Sequence, residues 1–433
     1  MLAAERFTSR LSAWLALVGV AVGLGNVWRF PYMMGAHGGS AFLFLYLALI
    51  VLFAIPLLSG ELALGRALRA GVIESYRSTW GRRAGTVLGG ILSGAILVAS
   101  SYYLVVIGNI AYLAWFGLAQ GFDAEHSAGL SSGLGNGHLQ YAIAVTIMLV
   151  ACAVLSRGVQ RGIELASRTL VPFFGLLVIY VIGHALTLPG IGAQIGAFLQ
   201  PDFTTIGIAD VYAALGQAFF SVGVGGTFMV VYGSYLKDQA RLPRLAMATA
   251  LGDTAAALLA ALFIVPTILY FSLDMAQGPG LIFSTLPKLF ALMPAGQWVG
   301  ALFLIAFTLM AFLSAMAGLE VCVSATRDLS GDRLGRRGAV LVVAVLELIL
   351  IWPSAQSPAL IGTLDLIFGS GMQIFGALIA VLTITFWVGK PVAQRQIFGG
   401  EAKGWLRAYW WWLRWALPVM LLAVLVGYVI DSI

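Results

Sequence analysis

Charged residues are scarce in this chain. Asp, Glu, Lys and Arg make up 10% of its 433 residues, whereas 61% of the residues are hydrophobic. A soluble globular domain carries about 25% charged residues. Because no soluble fold of this length could bury so much apolar surface, the composition predicts a protein that resides in the lipid bilayer.

Cysteine and histidine are also rare. The two cysteines, Cys152 and Cys322, lie inside apolar stretches and indicate neither a disulfide framework nor a metal site. The four histidines are scattered along the chain, and the sequence contains no phosphate-binding loop or Ser–His–Asp order. The sequence therefore predicts a protein that is not an enzyme.

Long apolar runs fill most of the sequence, and a helix needs roughly 20 apolar residues to cross a bilayer. The runs predict an all-α membrane protein with about eleven transmembrane helices. Helix 1 to helix 11 are predicted at residues 10–35, 40–66, 84–118, 138–155, 165–188, 210–235, 242–271, 296–326, 338–352, 359–388 and 406–430. The first run, which begins near Leu11, lacks a small-residue cleavage site, so we expect it to remain in the mature protein.

Positive charge lies on one side of the predicted helices. With the N-terminus in the cytoplasm, the cytoplasmic loops hold the Arg and Lys residues of segments 66–83, 157–168, 237–244, 327–337 and 390–407. The opposite loops hold only Lys288, apart from Arg29 at a helix end. This asymmetry follows the positive-inside rule and predicts a multi-pass membrane protein with its N-terminus in the cytoplasm. It also accounts for the net charge of +6, which therefore indicates no nucleic-acid partner.

Glycines interrupt helix 1 at residues 19–26 and helix 6 at residues 221–227. Each glycine weakens a helix by roughly 0.5–1 kcal/mol relative to alanine. Non-helical backbone at this depth is tolerated only where it lines a cavity or is buried in protein. Close helix packing through glycine is the alternative explanation for either segment alone. Two broken helices, five helices apart, predict a 5+5 inverted repeat with binding sites at the breaks.

These breaks organise the whole chain. We predict one transmembrane domain over residues 1–433, with repeat one at about 10–188, repeat two at about 208–388 and an extra helix at about 405–430. Freed N–H groups at the start of a half-helix suit a carboxylate. Freed carbonyl groups at the end of a half-helix suit a small cation.

Five acidic residues fall inside the predicted helices, where an ionisable group indicates a functional site. Asp253, early in helix 7, is the candidate cation ligand or proton carrier, with a structural hydrogen bond as the alternative. Glu61 is predicted to accept hydrogen bonds from backbone N–H groups freed at a break. Asp365 lies toward the outside, and Glu320 and Glu347 are predicted to make buried structural hydrogen bonds.

Long motifs occur in helices 1, 2 and 6. They are GLGNVWRFPY at 23–32, Gly38 and Gly39, Pro56 and Leu57 followed by Glu61, Gly65 and Arg66, GQAFFS at 216–221, and YGSY at 232–235. In this order and spacing the chain resembles the neurotransmitter:sodium symporters, and its length resembles that of the shorter bacterial members. The resemblance implies an inverted-repeat fold, a location in a bacterial inner membrane, and sodium-driven uptake of a small amino acid by alternating access.

The resemblance implies a first sodium site formed by Ala21, Asn26, Ser221 and Asp253. The family commonly has Asn at the position of Asp253, and its animal members use a chloride ion nearby. A fixed negative charge beside the cation replaces the charge of that anion. The resemblance therefore implies sodium coupling with no chloride requirement.

For a second sodium site, the resemblance implies ligands at Gly19, Val22, Met310 and Ser314. Leu313 stands where the family has Thr, Ser or Asp, and a leucine side chain offers sodium no oxygen. We therefore expect either one or two sodium ions per substrate.

The family binds the substrate carboxylate through N–H groups of helix 1 and a tyrosine of helix 3, which implies Leu24, Gly25 and Tyr103 here. All implied substrate-binding residues are Ala21, Leu24, Gly25, Ala99, Tyr103, Phe220, Ser221, Gly223, Gly226, Ser314 and Gly318. Most residues around the substrate's side chain, with Ala315 among them, are small, so we expect a roomy pocket for a hydrophobic or aromatic amino acid. Larger residues elsewhere that refill this space are the alternative.

The resemblance also implies gates on both sides of the site. They consist of Arg29, Asp365 and Phe220 outside, and of Arg6, Tyr235 and Asp328 inside. Arg29 and Asp365 are expected to form an ion pair, with Phe220 as an aromatic lid. Arg6 is expected to replace the arginine with which family members close the cytoplasmic side.

Two other functions stay open at this point. Proton coupling through Asp253 or Glu347 would fit the leucine at position 313, and a sensor that binds an amino acid without transporting it would use the same pocket. The expected partners are a small-molecule amino acid and the lipid bilayer. One copy of the chain is expected to suffice for transport, and a dimer is compatible with the sequence.

Overall fold

A computed structural model describes residues 5–275 and 280–432, and every regular element within these ranges is a helix. Nine helices in the described ranges are long and apolar enough to cross a membrane: Ser40–Leu68, Arg82–Gln120, Gly137–Leu155, Val159–Ala185, Leu242–Tyr270, Gly296–Ser330, Gly335–Gln356, Pro358–Trp387 and Trp405–Tyr428. They correspond to helices 2 to 5 and 7 to 11. The prediction of an all-α membrane protein is confirmed.

Helix 1 is broken, as its glycines predict. It consists of Arg10–Ala21 and Gly25–Ala36, which are bent by 61°. Val22 between them is extended, with φ −71° and ψ 117°. Gly25 has no room for a side chain, because a Cβ atom there would lie 2.5 Å from the Phe220 ring. The break therefore sets the start of the second half-helix directly against helix 6.

Helix 6 is broken over a longer stretch. It consists of Ile208–Ser221 and Phe228–Ser234. Gly223 and Gly226 have φ of 68° and 71°, in the left-handed region that favours glycine. A Cβ atom at Gly226 would also lie 2.3 Å from the carbonyl oxygen of Gly376. Only glycine fits this turn without moving helix 10.

Glu61 of helix 2 supports the break in helix 6. Its side chain is fully buried, and its Oε1 accepts hydrogen bonds from the N–H groups of Gly225 and Gly226, at 2.9 and 3.0 Å. The hydroxyl of Tyr76 donates to the carbonyl oxygen of Gly226 over 3.0 Å. The prediction that Glu61 satisfies N–H groups freed at a break is confirmed.

The number of crossings rests on the two broken helices. In the described part of the chain, the bent pair of helix 1 raises the candidate crossings from nine to ten. Helix 6 would add another, but each of its halves is too short to cross alone. The total of about eleven and the inverted repeat therefore remain predictions.

Several boundaries differ from the predicted ones. Helix 5 begins at Val159, helix 8 continues to Ser330, and helix 9 runs over Gly335–Gln356, so each is longer than its apolar run. The added turns contain Arg, Asp, Glu and Gln, which belong at the ends of a crossing where polar side chains reach water. Five shorter helices between the crossings were not predicted: Val72–Trp80, Ser127–Leu134, Ile191–Leu199, Leu281–Leu292 and Lys390–Phe398.

Candidate functional site

A cavity of about 720 Å3, part of it open to solvent, lies where the breaks of helix 1 and helix 6 meet. Helices 3, 8 and 10 complete its walls. Its lining includes these predicted residues: Ala21, Leu24, Gly25, Asn26, Ala99, Tyr103, Phe220, Ser221, Gly223, Ser314, Ala315, Gly318 and Asp365.

Gly226, which was assigned to the substrate site, is not among the residues that line this cavity. Its N–H group donates to Glu61, and its α-carbon packs on the backbone of helix 10. The lining also includes residues that the sequence analysis missed: Val20, Gly23, Ile96, Ser100, Tyr102, Phe228 and Gln373. The spacing of Ile96, Ser100 and Tyr103 on one face of helix 3 was a signal that could have found the first two.

Backbone N–H groups at the break of helix 1 donate hydrogen bonds to side-chain oxygens. The N–H of Leu24 donates to the hydroxyl oxygen of Tyr103 over 3.3 Å, and the N–H of Gly23 donates to Asn26 Oδ1 over 2.9 Å. A Cβ atom at Gly23 would lie 2.7 Å from Tyr103 Oη and 3.3 Å from Ser314 Oγ. N–H groups at the positive end of a helix dipole suit a carboxylate.

Three buried polar side chains form a cluster beside this turn. Asn26 Nδ2 donates to Asp253 Oδ1 over 2.7 Å, and the Ser221 hydroxyl donates to Asp253 Oδ2 over 2.5 Å. All three side chains are buried. Because the Asn26 amide can turn about its terminal bond, the cluster offers a carboxylate, an amide oxygen and a hydroxyl oxygen. These groups have the chemistry to bind a small hard cation.

Other polar side chains surround this cluster, and the sequence analysis missed them. Tyr46 and Thr254 lie beside Ser221 and Asp253, and Gln217 precedes Ser221 by one helical turn. Both polar atoms of the buried Gln217 amide lack a hydrogen-bond partner among the described residues. A buried amide without a partner is costly, so this side of the cluster suits a water molecule or an ion.

The residues of the predicted second cation site lie on the side of helix 1 that faces helix 8. Gly19, Val22 and Met310 are buried. A Cβ atom at Gly19 would lie 3.1 Å from Leu313 Cδ1. Ser314 lines the cavity. The two atoms nearest to this Cβ position at Gly19 are thus carbon atoms of Leu313, and the Ser167 hydroxyl follows at 3.6 Å.

On the outer side, the expected ion pair between Arg29 and Asp365 is not formed. The Arg29 guanidinium lies over the Phe220 ring, 4.8 Å from its centroid. Asp365 Oδ1 accepts a hydrogen bond from the Tyr102 hydroxyl over 3.0 Å. Each charged group has another partner, a cation–π contact in one case and a hydroxyl in the other. Phe220 packs on Gly25 at the cavity, where a lid would lie.

On the side predicted to face the cytoplasm, called the cytoplasmic side from here on, the expected partners Arg6 and Asp328 have other contacts. Arg6 pairs with Asp238 at 3.6 Å, and Asp328 accepts a hydrogen bond from the N–H of Glu74 over 3.0 Å. Arg69 also donates to Asp238, which holds the pKa of that loop carboxyl below its usual range. The expectation that Arg6 completes the cytoplasmic network with Asp328 is therefore wrong.

Arg336, at the start of helix 9, supplies the cation of the observed cytoplasmic network. It donates to Glu320 Oε2 over 2.7 Å and to the carbonyl of Leu155 over 2.6 Å, and it lies 3.6 Å from Glu5. The Tyr235 hydroxyl donates to Glu320 Oε1 over 2.5 Å. The prediction of a buried hydrogen bond for Glu320 is confirmed. The acid within helix 8 was the one sequence signal that pointed to a cation in this region.

Glu347 of helix 9 behaves differently from Glu320. Its side chain is fully buried, and neither carboxylate oxygen has a hydrogen-bond partner in the described ranges. The predicted structural hydrogen bond is therefore absent. The group is not part of the cavity lining.

Two broken helices that enclose N–H groups for an anion beside buried oxygens for a cation define a secondary transporter. In sequence, the family described as the Sodium:neurotransmitter symporter family matches residues 4–127 and 119–432. The chain belongs to this family of sodium symporters.

Individual relatives cover nearly the full length. YhdH of Bacillus subtilis (strain 168), named an uncharacterized sodium-dependent transporter, is 30% identical over 97% of this chain and 96% of its own. An uncharacterized sodium-dependent transporter of Methanocaldococcus jannaschii is 32% identical over 92% of this chain and 82% of its own. Among solved structures, MhsT in complex with L-phenylalanine superposes with a TM-score of 0.87 at 30% identity, over 98% of this chain and 99% of that one.

Proposed function

We propose that this protein imports an amino acid with a hydrophobic or aromatic side chain, together with sodium, by alternating access. One observation carries the proposal. The N–H groups and the Tyr103 hydroxyl at the helix 1 break lie beside the cluster of Asn26, Ser221 and Asp253. A substrate carboxylate and a sodium ion bound there would be neighbours of opposite charge, so each would strengthen the binding of the other.

The wall farther along the cavity supports a large apolar side chain. Ala99, Gly223, Ala315 and Gly318 are small residues of the cavity lining, and the ring of Phe228 lies beside Gly318. A pocket that is one methylene too large or too small changes selectivity by roughly 1–3 kcal/mol. The complex of MhsT with L-phenylalanine supports the same substrate class.

Asp253 supports an ion requirement of sodium without chloride. Its buried carboxylate already lies among the groups that would hold the cation. A chloride ion is therefore not needed to balance the charge of the bound sodium. Replacement of external chloride by gluconate is expected to leave the uptake rate unchanged.

The charge asymmetry of the loops supports a location in a bacterial inner membrane with the N-terminus in the cytoplasm. The cavity is built from the helices of one chain, so a monomer is sufficient for transport. Labelling of single cysteines by an impermeant reagent on intact cells tests the orientation. Asp123→Cys should be labelled from outside and Gly331→Cys should not.

The test of the function is uptake of radiolabelled tryptophan, leucine, glycine and taurine into proteoliposomes, with and without an inward sodium gradient. Sodium-dependent accumulation that prefers tryptophan or leucine supports the proposal. Preference for glycine or taurine contradicts the substrate class and leaves the coupling intact. Binding of an amino acid without accumulation supports a sensor instead.

A proton-coupled transporter is the second candidate, and Glu347 favours it. An ionisable side chain without a partner at this depth marks a group that exchanges a proton or an ion. Accumulation that ignores sodium, follows an inward proton gradient and is lost in Glu347→Gln would support this candidate over the first.

A further inference from the structure

We propose that this transporter couples one sodium ion to each substrate. The first half of helix 1 offers free carbonyl oxygens on two faces, and the apolar side chain of Leu313 covers one of them. The inference rests on the proposed function, since it assumes that sodium drives uptake. It makes Leu313, a residue that touches neither the cavity nor the polar cluster, the determinant of the coupling ratio.

The carbonyl groups at the end of the first half-helix have lost their helical partners. In a continuous helix, the N–H groups of Gly23 and Leu24 would donate to the carbonyls four residues earlier, those of Gly19 and Val20. They donate instead to side chains, at distances of 2.9 and 3.3 Å. These carbonyls also lie at the negative end of the helix dipole, so the half-helix end attracts a cation.

One face of this half-helix end carries further oxygen atoms. Asn26, Ser221 and Asp253 are buried there and within hydrogen-bond distance of one another. The carboxylate supplies a full negative charge. A sodium ion on this face can exchange its water for several protein oxygens.

The opposite face, toward helix 8, carries carbon. A Cβ atom at Gly19 would lie 3.1 Å from Leu313 Cδ1 and 3.4 Å from Leu313 Cβ, so the leucine packs on the backbone of helix 1. Its side chain is 1% exposed. Of the three atoms nearest to this Cβ position at Gly19, the one oxygen is the Ser167 hydroxyl of helix 5, at 3.6 Å, and it donates to the carbonyl of Ile163.

The neighbours of Leu313 on helix 8 do not compensate. Ser314 lines the cavity and lies near Gly23, on the substrate side. Met310 lies inside a helix that is continuous from Gly296 to Ser330, where backbone carbonyls accept helical hydrogen bonds. An ion on this face would lose hydration without gaining oxygen ligands, which is unfavourable in an apolar interior.

The coupling ratio can be measured directly as the substrate accumulation that a known sodium gradient sustains. With the membrane potential clamped at zero by potassium and valinomycin, a sodium gradient of about tenfold sustains about tenfold accumulation if one ion is coupled, and about hundredfold if two are coupled. We expect the first ratio for the unaltered protein, reconstituted with its best substrate from the panel above.

Leu313→Thr and Leu313→Val are a matched pair of nearly equal shape that differ by one hydroxyl. The threonine adds an oxygen beside Gly19, on the side where the Ser167 hydroxyl also lies. We expect the accumulation ratio to rise toward about hundredfold in Leu313→Thr and to stay near tenfold in Leu313→Val. The sodium dependence of the initial rate should steepen only in the threonine variant.

The outcomes separate this inference from the function on which it rests. About hundredfold accumulation by the unaltered protein would overturn it while leaving sodium coupling intact. A tenfold ratio in both variants, with sodium-dependent uptake retained, would overturn the assignment to Leu313. Accumulation that ignores sodium in all three proteins would contradict the proposed function itself.

Discussion

Two adjacent tyrosines of helix 3 have different tasks. The Tyr103 hydroxyl accepts a hydrogen bond from the Leu24 N–H at the break of helix 1. The Tyr102 hydroxyl donates to Asp365 on the outer side. A helix turns by about 100° per residue, so neighbouring side chains face different partners.

Tyr103→Phe should raise the half-saturating substrate concentration about tenfold or more, because a hydrogen bond to a charged group contributes about 1.5–3 kcal/mol. Tyr102→Phe removes the same hydroxyl from the neighbouring residue and should have a smaller effect on substrate affinity. The measurement is inhibition of labelled substrate uptake by the unlabelled amino acid and by its decarboxylated amine. Tyr103→Phe should discriminate less well between these two inhibitors than the unaltered protein does. Equal effects of Tyr103→Phe and Tyr102→Phe on substrate affinity would contradict the assignment.

Asp253→Asn should raise the half-saturating sodium concentration by about tenfold or more, because it removes a buried charge next to the cation. The sodium dependence of the uptake rate measures this effect. Glu347→Gln neutralises another buried acid and serves as the control, with sodium dependence unchanged. The opposite pattern would favour proton coupling over the proposed mechanism.

At the residue scale, the prediction of the polar cluster was more accurate than the prediction of the gate contacts. The resemblance placed Asn26, Ser221 and Asp253 together, and the structure has them in hydrogen-bond contact. It paired Arg29 with Asp365 wrongly, because the nearby Phe220 ring satisfies the arginine. Charge sign alone does not decide between a carboxylate and an aromatic face.

Among the helical elements, the break of helix 6 depends on a support from outside itself. Glu61 of helix 2 accepts both N–H groups of Gly225 and Gly226, and Tyr76 donates to a carbonyl of the same turn. Helix 10 also packs on Gly226. Helix 2, the short helix Val72–Trp80 and helix 10 thus all contact the non-helical segment of helix 6. The segment is held in place rather than left loose.

Gly226→Ala should destabilise the protein by about 1–3 kcal/mol, because the residue has a positive φ and its Cβ would collide with a backbone carbonyl. Gly225→Ala is the matched control, since its Cβ would meet Gln373 at 3.4 Å, an ordinary contact. The apparent melting temperature in detergent compares the two. An equal loss in both variants would show that the turn is not limited by backbone geometry.

The helices themselves were predictable from long apolar runs, and so were both breaks, because glycine-rich segments are rare inside a crossing. The short helices were not predictable in this way. Val72–Trp80, which carries Tyr76, has too few apolar residues for a crossing, and its position is set by packing against other helices. The extra turns of helix 9 likewise depend on where the bilayer ends.

Across the whole molecule, the residues expected to act as gates make different contacts on the two sides of the site. On the cytoplasmic side, the N-terminal segment is fixed by the Phe7 N–H bond to the Tyr235 carbonyl, at 3.1 Å, and by the contact of Glu5 with Arg336. On the outer side, Arg29 and Asp365 have separate partners. In the described conformation, the N-terminal segment is thus held to helices 6 and 9, whereas the expected pair of Arg29 and Asp365 is not formed.

Arg336→Gln should loosen the N-terminal segment, because it leaves Glu320 buried without its cation and releases Glu5. We expect backbone hydrogen exchange in residues 5–12 to become about tenfold faster, as measured by mass spectrometry. Arg333→Gln removes the same charge three residues earlier and should leave this exchange unchanged. Identical exchange in both variants would show that Arg336 does not hold the segment.

The carboxylate of Asp253 also determines where voltage acts in a transport cycle with one sodium ion. With this group ionised, the empty site carries a negative charge; sodium cancels it, and a zwitterionic amino acid adds none. The loaded site then moves inward as a neutral body, while the empty site returns outward as an anion. A cytoplasm that is negative inside repels that anion, with up to about 2.3 kcal/mol per 100 mV for a full crossing. The membrane potential would thus drive the return of the empty transporter, and the sodium gradient would drive the inward step with substrate bound.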